Sequence, residues 1–432
     1  MTTRRNFLGS VAASSVGLGT GAGWSPELPV TPPAVQAGSL PPAIAALTSM
    51  AGQMIPITTA ERVARIEKAR SLMAETKMAA VVLTGGTSLK YFTNIDWGLS
   101  ERLLAVVIPA KGNAFLVCPM FERDRALEQV ATGPLGVGTD VMTWQEHENP
   151  SALVADGLRS RAAATGLIGF EETVRYGFSD SIGAALPGAS FGNATPVTAG
   201  CRMTKSPAEL ALMRLASTVT LKAYGAAYKS LKDGMTQNEF GGLVRAAHDR
   251  LGFAGGAGVQ VGTYSALPHG SVAPQVVREG TILLIDGGCS VGGYASDLSR
   301  TFVLGKPTDK MKRVFDIELK AQSAALAAAR PGVACGAVDA AARKVIVDAG
   351  FGPGYQYFTH RVGHGMGMDG HEWPYLVKDN PRPLVPGMTF SDEPGIYIPG
   401  EFGIRLEDDM VITPNGAELM TPQSRSLEHP FE

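Results

Sequence analysis

The spacing of apolar positions divides this chain into two parts of different architecture. Over 58–200, helical and strand patterns alternate, as in an α/β unit. Residues 59–75 read as an amphipathic helix and 79–83 as a short buried strand. Apolar runs at 103–109 and 113–118 flank Ala110-Lys111-Gly112 and predict a hairpin. Near Arg202 the pattern changes. Ser206 and Glu209 have capping-box spacing with Pro207 at the first helical position, so a helix is predicted to about Lys232, ended by Gly234. Thr236 and Glu239 open a second helix to about Leu251. Residues 281–285 form an apolar strand ending at Asp286. The glycines at 287, 288, 292 and 293 let the chain reverse, and 294–304 returns as a second strand. On that hairpin Asp286 and Asp297 are expected opposite each other across a loose loop. Residues 403–407 alternate, so Ile404 and Leu406 face a core while Arg405 and Glu407 share the opposite face.

The second part repeats itself. Residues 233–253 align without a gap to 331–351, each with a turn glycine, an Ala-rich helix and Gly-Phe (Gly252-Phe253, Gly350-Phe351). A Gly-rich stretch with histidine follows each: His269 in the first half, His360 and His364 in the second. Gly280 precedes Asp286 by six residues, as Gly387 precedes Glu393; Asp297 and Glu407 lie on the next strands. Two related halves facing each other gather four carboxylates around one centre.

Composition narrows the picture. With 432 residues, 45% hydrophobic and 18% charged, the chain can form two domains with proper cores. A net charge of -2 gives no reason to expect nucleic acid or an anionic membrane as partner. The four cysteines are scattered without a CxxC pair, which disfavours a zinc ribbon or redox motif and outlines no disulfide framework. Residues 1–37 are similar to a twin-arginine signal: Arg4-Arg5-Asn6-Phe7-Leu8, a mild apolar stretch, and small residues for cleavage around Ala37. A periplasmic or secreted protein, delivered by the twin-arginine machinery, is therefore expected. Residues 38–57 read as a linker.

The candidate chemistry lies in the last third. Asp286, Asp297, His364, Glu393 and Glu407 offer four carboxylates and one imidazole, a set that suits a pair of divalent ions such as Mn²⁺ better than the sulfur-rich sets of structural zinc. Such a pair points to hydrolysis. Asp286 and Asp297 repel unless a cation lies between them. The run His360-Arg361-Val362-Gly363-His364 is no helical HExxH site: arginine stands in the glutamate position and glycine disfavours a helix. A glycine-rich loop bringing His364 close to a metal fits better. Four of the 7 histidines (His269, His360, His364, His371) fall in these loops; His147, His248 and His429 read as surface or packing residues. Asp392 points to the face opposite Glu393, while Asp408 and Asp409 read as solvated strand-end acids. Arg405 is placed to hold the charge of the site or to grip a substrate carboxylate.

On the motifs LLIDGG, YASDLSRTF, HRVGHGMGMDGHE, SDEPGIY and GIRLEDD, the chain resembles the pita-bread metallopeptidases over about 200–420. That family includes methionine aminopeptidase, aminopeptidase P, Xaa-Pro dipeptidase and the metal-free creatinase. The resemblance implies an α/β creatinase-like N-terminal domain at 58–200 and an α+β pita-bread domain at 201–425 with a pseudo-twofold repeat. It implies Asp286 and Asp297 on one ion, His364 and Glu393 on the other, and Asp297 and Glu407 bridging. Metal-bound hydroxide would attack the scissile carbonyl with Glu393 as proton acceptor. His269 and His371 would act on the substrate side, His360 would line a proline pocket, and Arg405 matches an arginine near the site. The expected function is Xaa-Pro peptide hydrolysis, as a dipeptidase or an aminopeptidase, by a homodimer using Mn²⁺, with Co²⁺, Zn²⁺ or Fe²⁺ as alternatives. Proline-containing peptides are the expected substrates. Rival readings are a hydrolase or lyase of a small osmolyte or phosphotriester, and a metal-free binding protein, which predicts lost ligands. None is lost here. Trp373 lies outside the motifs and either shapes substrate choice or packs.

Overall fold

Six strands from 78–193 make one mixed sheet: β1 (Met78–Leu83), β2 (Ala105–Pro109), β3 (Phe115–Pro119), β4 (Asp140–Trp144), β5 (Leu167–Phe170) and β6 (Ser190–Asn193), in the order β4-β3-β2-β1-β5-β6. The expected hairpin is β2–β3, paired Ala105 to Val117, and the expected first helix is Thr59–Thr76. β1, β2 and β3 are buried almost throughout, which explains their continuous apolar runs. The computed structural model describes residues 40–431; the expected signal at 1–37 lies outside them.

The remaining strands are β7 (Gly255–Val261), β8 (Ile282–Val291), β9 (Tyr294–Ala295), β10 (Leu298–Val303), β11 (Gly363–Gly365), β12 (Glu372–Leu376), β13 (Thr389–Asp392), β14 (Gly395–Ile398), β15 (Phe402–Arg405), β16 (Asp408–Thr413) and β17 (Gly416–Leu419). The repeat is structural. Helices Pro207–Tyr228 and Gln237–Leu251 precede one sheet with β8 between β7 and β10. Helices Asp309–Ala328 and Cys335–Asp348 precede another with β13 between β11 and β16. Gln237 and Cys335, which begin the equivalent helices, stand 98 positions apart, the offset of the sequence alignment. Gly252 (φ 91°) and Gly350 (φ 93°) take matching left-handed turns after them, where a side chain would be strained. Both predicted capping boxes form: Ser206 and Thr236 accept the N–H groups of Glu209 and Glu239, and each glutamate accepts the cap N–H in return.

Three expectations are corrected. Asp286 does not end its strand: β8 runs through Gly287 and Gly288 to Val291, and the chain reverses at Gly292-Gly293. Glycines stay in this strand because a Cβ on Gly288 would strike the Ser296 carbonyl. Asp286 consequently faces Ser299, and Asp297 lies in the break between β9 and β10. The described part of 38–57 is packed, contrary to a linker. Ile44 and Met50 enter the core of the helices Pro207–Tyr228 and Gln237–Leu251, and Met50 N–H bonds the Leu251 carbonyl at 2.8 Å. Burying such side chains stabilises by about 1.5–3 kcal/mol each, enough to hold a short proline-rich segment down.

Candidate metal centre

The two sheets deliver their acids from equivalent places. Asp286 is inside β8 and Glu393 directly follows β13; Asp297 directly precedes β10 and Glu407 directly precedes β16. The junction is held by backbone and side chain together. Glu407 N–H bonds the Ser299 carbonyl at 3.1 Å, and the buried Arg300 donates to the Glu407 carbonyl at 2.7 Å and to Asp408 at 2.6 Å.

A cavity of about 390 Å³ opens over these acids. Its lining includes the nine candidate site residues: Asp286, Asp297, His364, Glu393 and Glu407, with His269, His360, His371 and Arg405. Donor atoms of Asp286, Asp297 and Glu407 lie within 4.8 Å of one another, as do those of His364, Glu393 and Glu407, so Glu407 is common to both groups. A third group of the same kind joins Asp297 and His364 to His371. Burial first, then the neighbouring acids, push the Asp297 and Glu407 carboxyls well above the usual carboxylate range. Acids brought together in this way ionise together when positive charge lies among them.

His364 gives a sharper test of fit. Its Nδ1 faces the Gly365 carbonyl at 3.1 Å, an acceptor only, so Nδ1 carries the proton. Nε2 therefore points at Glu393 Oε1, 3.2 Å away, and Asp297 Oδ2, 3.9 Å away, where it would offer its lone pair to a cation held among these oxygens. A lone pair facing two carboxylates is tolerable with a cation among them. The oxygen-rich donor set and this orientation both fit divalent cations.

The surroundings include residues that sequence reasoning missed. Ser299 Oγ lies 2.6 Å from Glu407 and 3.0 Å from Asp286 and accepts from Arg405 Nε. Arg405 also pairs with Asp286 at 2.7 Å and donates to the Tyr397 hydroxyl at 2.9 Å. Because Arg405 only donates, the Tyr397 proton goes to His360 Nε2 at 2.7 Å, and His360 Nδ1 donates to the Arg361 carbonyl at 2.8 Å. Both nitrogens of His360 are thus engaged by protein, so it forms a wall of the cavity and not a proton carrier. Asp408 and Asp409, expected to be solvated, are fully buried. Asp408 neutralises Arg300, and Asp409 accepts the Asp297 N–H and the Ser217 hydroxyl. The apparent strand-end position misled because a second sheet covers it. Asp392 is buried away from the cavity, as its strand parity required. Trp373 lies outside the cavity lining and donates to Glu172 at 3.2 Å.

His360 and His364 are presented by a loop tied to the helix Cys335–Asp348. Asp339 accepts the Val362 N–H at 2.9 Å, and Arg343 donates to the Phe358 and His360 carbonyls. His371 stacks on His364 with centroids 3.6 Å apart. Burial is the leading cause that lowers its pKa to about 4, so it is neutral near pH 7.

Comparison with known proteins agrees with this geometry. Residues 211–414 match metallopeptidase family M24, and 65–204 match the creatinase/prolidase N-terminal domain. An Xaa-Pro dipeptidase of Lactobacillus delbrueckii subsp. lactis is 31% identical over 376 residues, covering 84% of this chain and 98% of that protein. A probable dipeptidase PepE of Mycobacterium tuberculosis is 36% identical, covering 82% and 92%. Among solved structures, dipeptidase PepE from Mycobacterium ulcerans superposes with a TM-score of 0.80 at 33% identity, over 87% of this chain and 99% of that one. The Xaa-Pro dipeptidase from Bacillus anthracis gives 0.74 at 28% identity, over 85% and 99%. With relatives matched over nearly their whole length, the chain belongs to metallopeptidase family M24, and its N-terminal domain is of the creatinase/prolidase type.

Proposed function

We propose that the chain is a metal-dependent peptidase that cleaves the bond before proline in short peptides, acting as an Xaa-Pro dipeptidase. The observation that supports this most is the convergence of five donors on one cavity in a chain whose relatives include Xaa-Pro dipeptidases matched over nearly their full length. Asp286, Asp297, His364, Glu393 and Glu407 would hold two divalent cations, with Mn²⁺ first and Co²⁺, Zn²⁺ or Fe²⁺ as alternatives. Bound there, such a pair supplies Lewis acidity for the scissile carbonyl and lowers the pKa of a water.

The chain's own groups do the rest. Glu393, beside the Ser391 hydroxyl at 3.2 Å, takes a proton from the attacking water and returns it to the leaving nitrogen. Arg405 and Ser299 keep Asp286 and Glu407 in place. His269 and His371 face the substrate from the cavity wall, and the pinned His360 shapes it. Proline suits such a site because its amide has no N–H and a fixed ring geometry.

Metal-loaded enzyme should hydrolyse Ala-Pro quickly, a longer Xaa-Pro-Yaa peptide more slowly and a non-proline dipeptide least. Equal rates on all three, or none on any, would sink this reading. Export by the twin-arginine route and a homodimeric assembly complete the proposal. Arg4-Arg5 motivates the first. Changing both arginines to lysine should trap active precursor in the cytoplasm, and unaltered export of that variant would count against it. Light scattering decides the assembly state, with a monomer refuting the dimer.

A further inference from the structure

His364 and His371 pose a question that distance alone leaves open. The rings are stacked, and a nitrogen of each lies within 4.8 Å of an Asp297 oxygen, so either ring is near enough to hold a cation. Hydrogen-bond direction separates them. His364 Nδ1 faces a carbonyl and carries the proton, so Nε2 is the nitrogen left to offer a lone pair to a cation. His371 Nδ1 instead faces Arg361 Nη2 at 3.1 Å. A guanidinium has five N–H donors and no acceptor, so His371 Nδ1 must be the acceptor. In a neutral imidazole the proton then sits on Nε2. The stacked pair has opposite tautomers, one presenting a lone pair and the other an N–H.

Arg361 is itself held. Its Cζ lies 4.1 Å from the centroid of the Tyr375 ring, a cation–π shelf on the strand that follows His371. The guanidinium is thus fixed between Tyr375 and His371 at the wall of the cavity.

We propose that Arg361 is a positioning residue that fixes His371 as a hydrogen-bond donor, bars it from ligating a cation, and so leaves His364 as the ligand of the stacked pair. The catalytic consequence rests on the peptidase reading above. An Nε2–H already formed and aimed is a donor for a substrate oxygen that gains negative charge, and it needs no reorganisation when that charge develops.

The test uses full-length enzyme with ¹⁵N-labelled histidine, loaded with Zn²⁺ and free of substrate. The His371 signals are identified by their loss in His371→Ala. In the wild type the Nε2–H form is expected. In Arg361→Met the balance should move toward Nδ1–H, with the melting temperature and the bound metal per chain unchanged. Turnover of Ala-Pro should fall about 10–100-fold in kcat with KM little altered, the usual cost of losing a group that orients an active-site histidine. Arg361→Lys, which keeps a donor, should recover part of the rate. An Nδ1–H tautomer for His371 in the wild type, loss of metal from Arg361→Met, or wild-type kcat in that variant would overturn the proposal. Failure of the wild type to cleave any proline peptide would defeat the peptidase reading alone, since the tautomer is read without substrate.

Discussion

Asp409 illustrates how much of this site depends on residues that touch no ligand. Its carboxylate accepts the backbone N–H of Asp297 at 3.2 Å and the Ser217 hydroxyl at 2.7 Å, so it orients a donor from behind. Asp409→Ala should weaken metal binding by about 10–100-fold, read by competition with a fluorescent chelator, while Asp409→Asn, which keeps an acceptor oxygen, should lose less. Equal affinity in both variants and the wild type would refute this role. The cysteines make the opposite case. All four are free and buried, and burial pushes the Cys118 and Cys201 thiols up to about 12 and Cys335 to about 11. Only thiolate reacts, so a disulfide reagent at pH 8 should label no cysteine in the native protein and four after unfolding. Labelling of the folded chain at the rate of a free thiol would contradict these environments. At this scale the five donors were legible because each stands beside a turn or strand signal. Ser299, Tyr397 and Asp409 were not, since serine, tyrosine and aspartate have many ordinary uses and acquire this one through contact.

At the scale of elements, the capping boxes and matched helices were readable because their determinants are three or four residues apart. The hairpin register was not. The glycines at 287 and 288 resemble a turn, yet they continue β8 because β7 and the Ser296 segment pack too closely for side chains. The junction between the halves is the element-level feature with the largest energetic stake. Arg300 on β10 and Asp408 on β16 are both fully buried and pair at 2.6 Å. Removing one member of such a pair strands the other charge in a dry interior. Arg300→Met should therefore destabilise by about 3–5 kcal/mol, measured by urea unfolding, and release metal at lower denaturant than the wild type. A change under about 1 kcal/mol would show that Asp408 is neutral when buried.

For the whole molecule, metal and fold should be coupled. The five donors come from two sheets, so a cation bound among them ties together segments more than a hundred residues apart in sequence. Chelation should abolish hydrolysis and lower the melting temperature, and Mn²⁺ or Co²⁺ should restore both, with a stabilisation that grows with the logarithm of metal concentration. Full activity in protein shown by elemental analysis to be metal-free would exclude the dimetal reading. The packed segment from Pro41 to Met54 belongs to this scale too. Its apolar residues looked like part of a linker until the two helices they cover were in place.

The sequence by itself determined the two architectures, the internal repeat, the helix starts and the identity of the residues around the cavity. Those features are written in local spacing: strand parity, capping distance, and the recurrence of glycine and acid at a fixed offset. Tertiary structure decided what each polar group faces. It buried Asp408 and Asp409, set Asp286 against Ser299, spent both nitrogens of His360 on protein, and gave two stacked histidines opposite tautomers. The reason is that a hydrogen bond has direction and a partner, and the partners here come from strands and loops far apart in the chain.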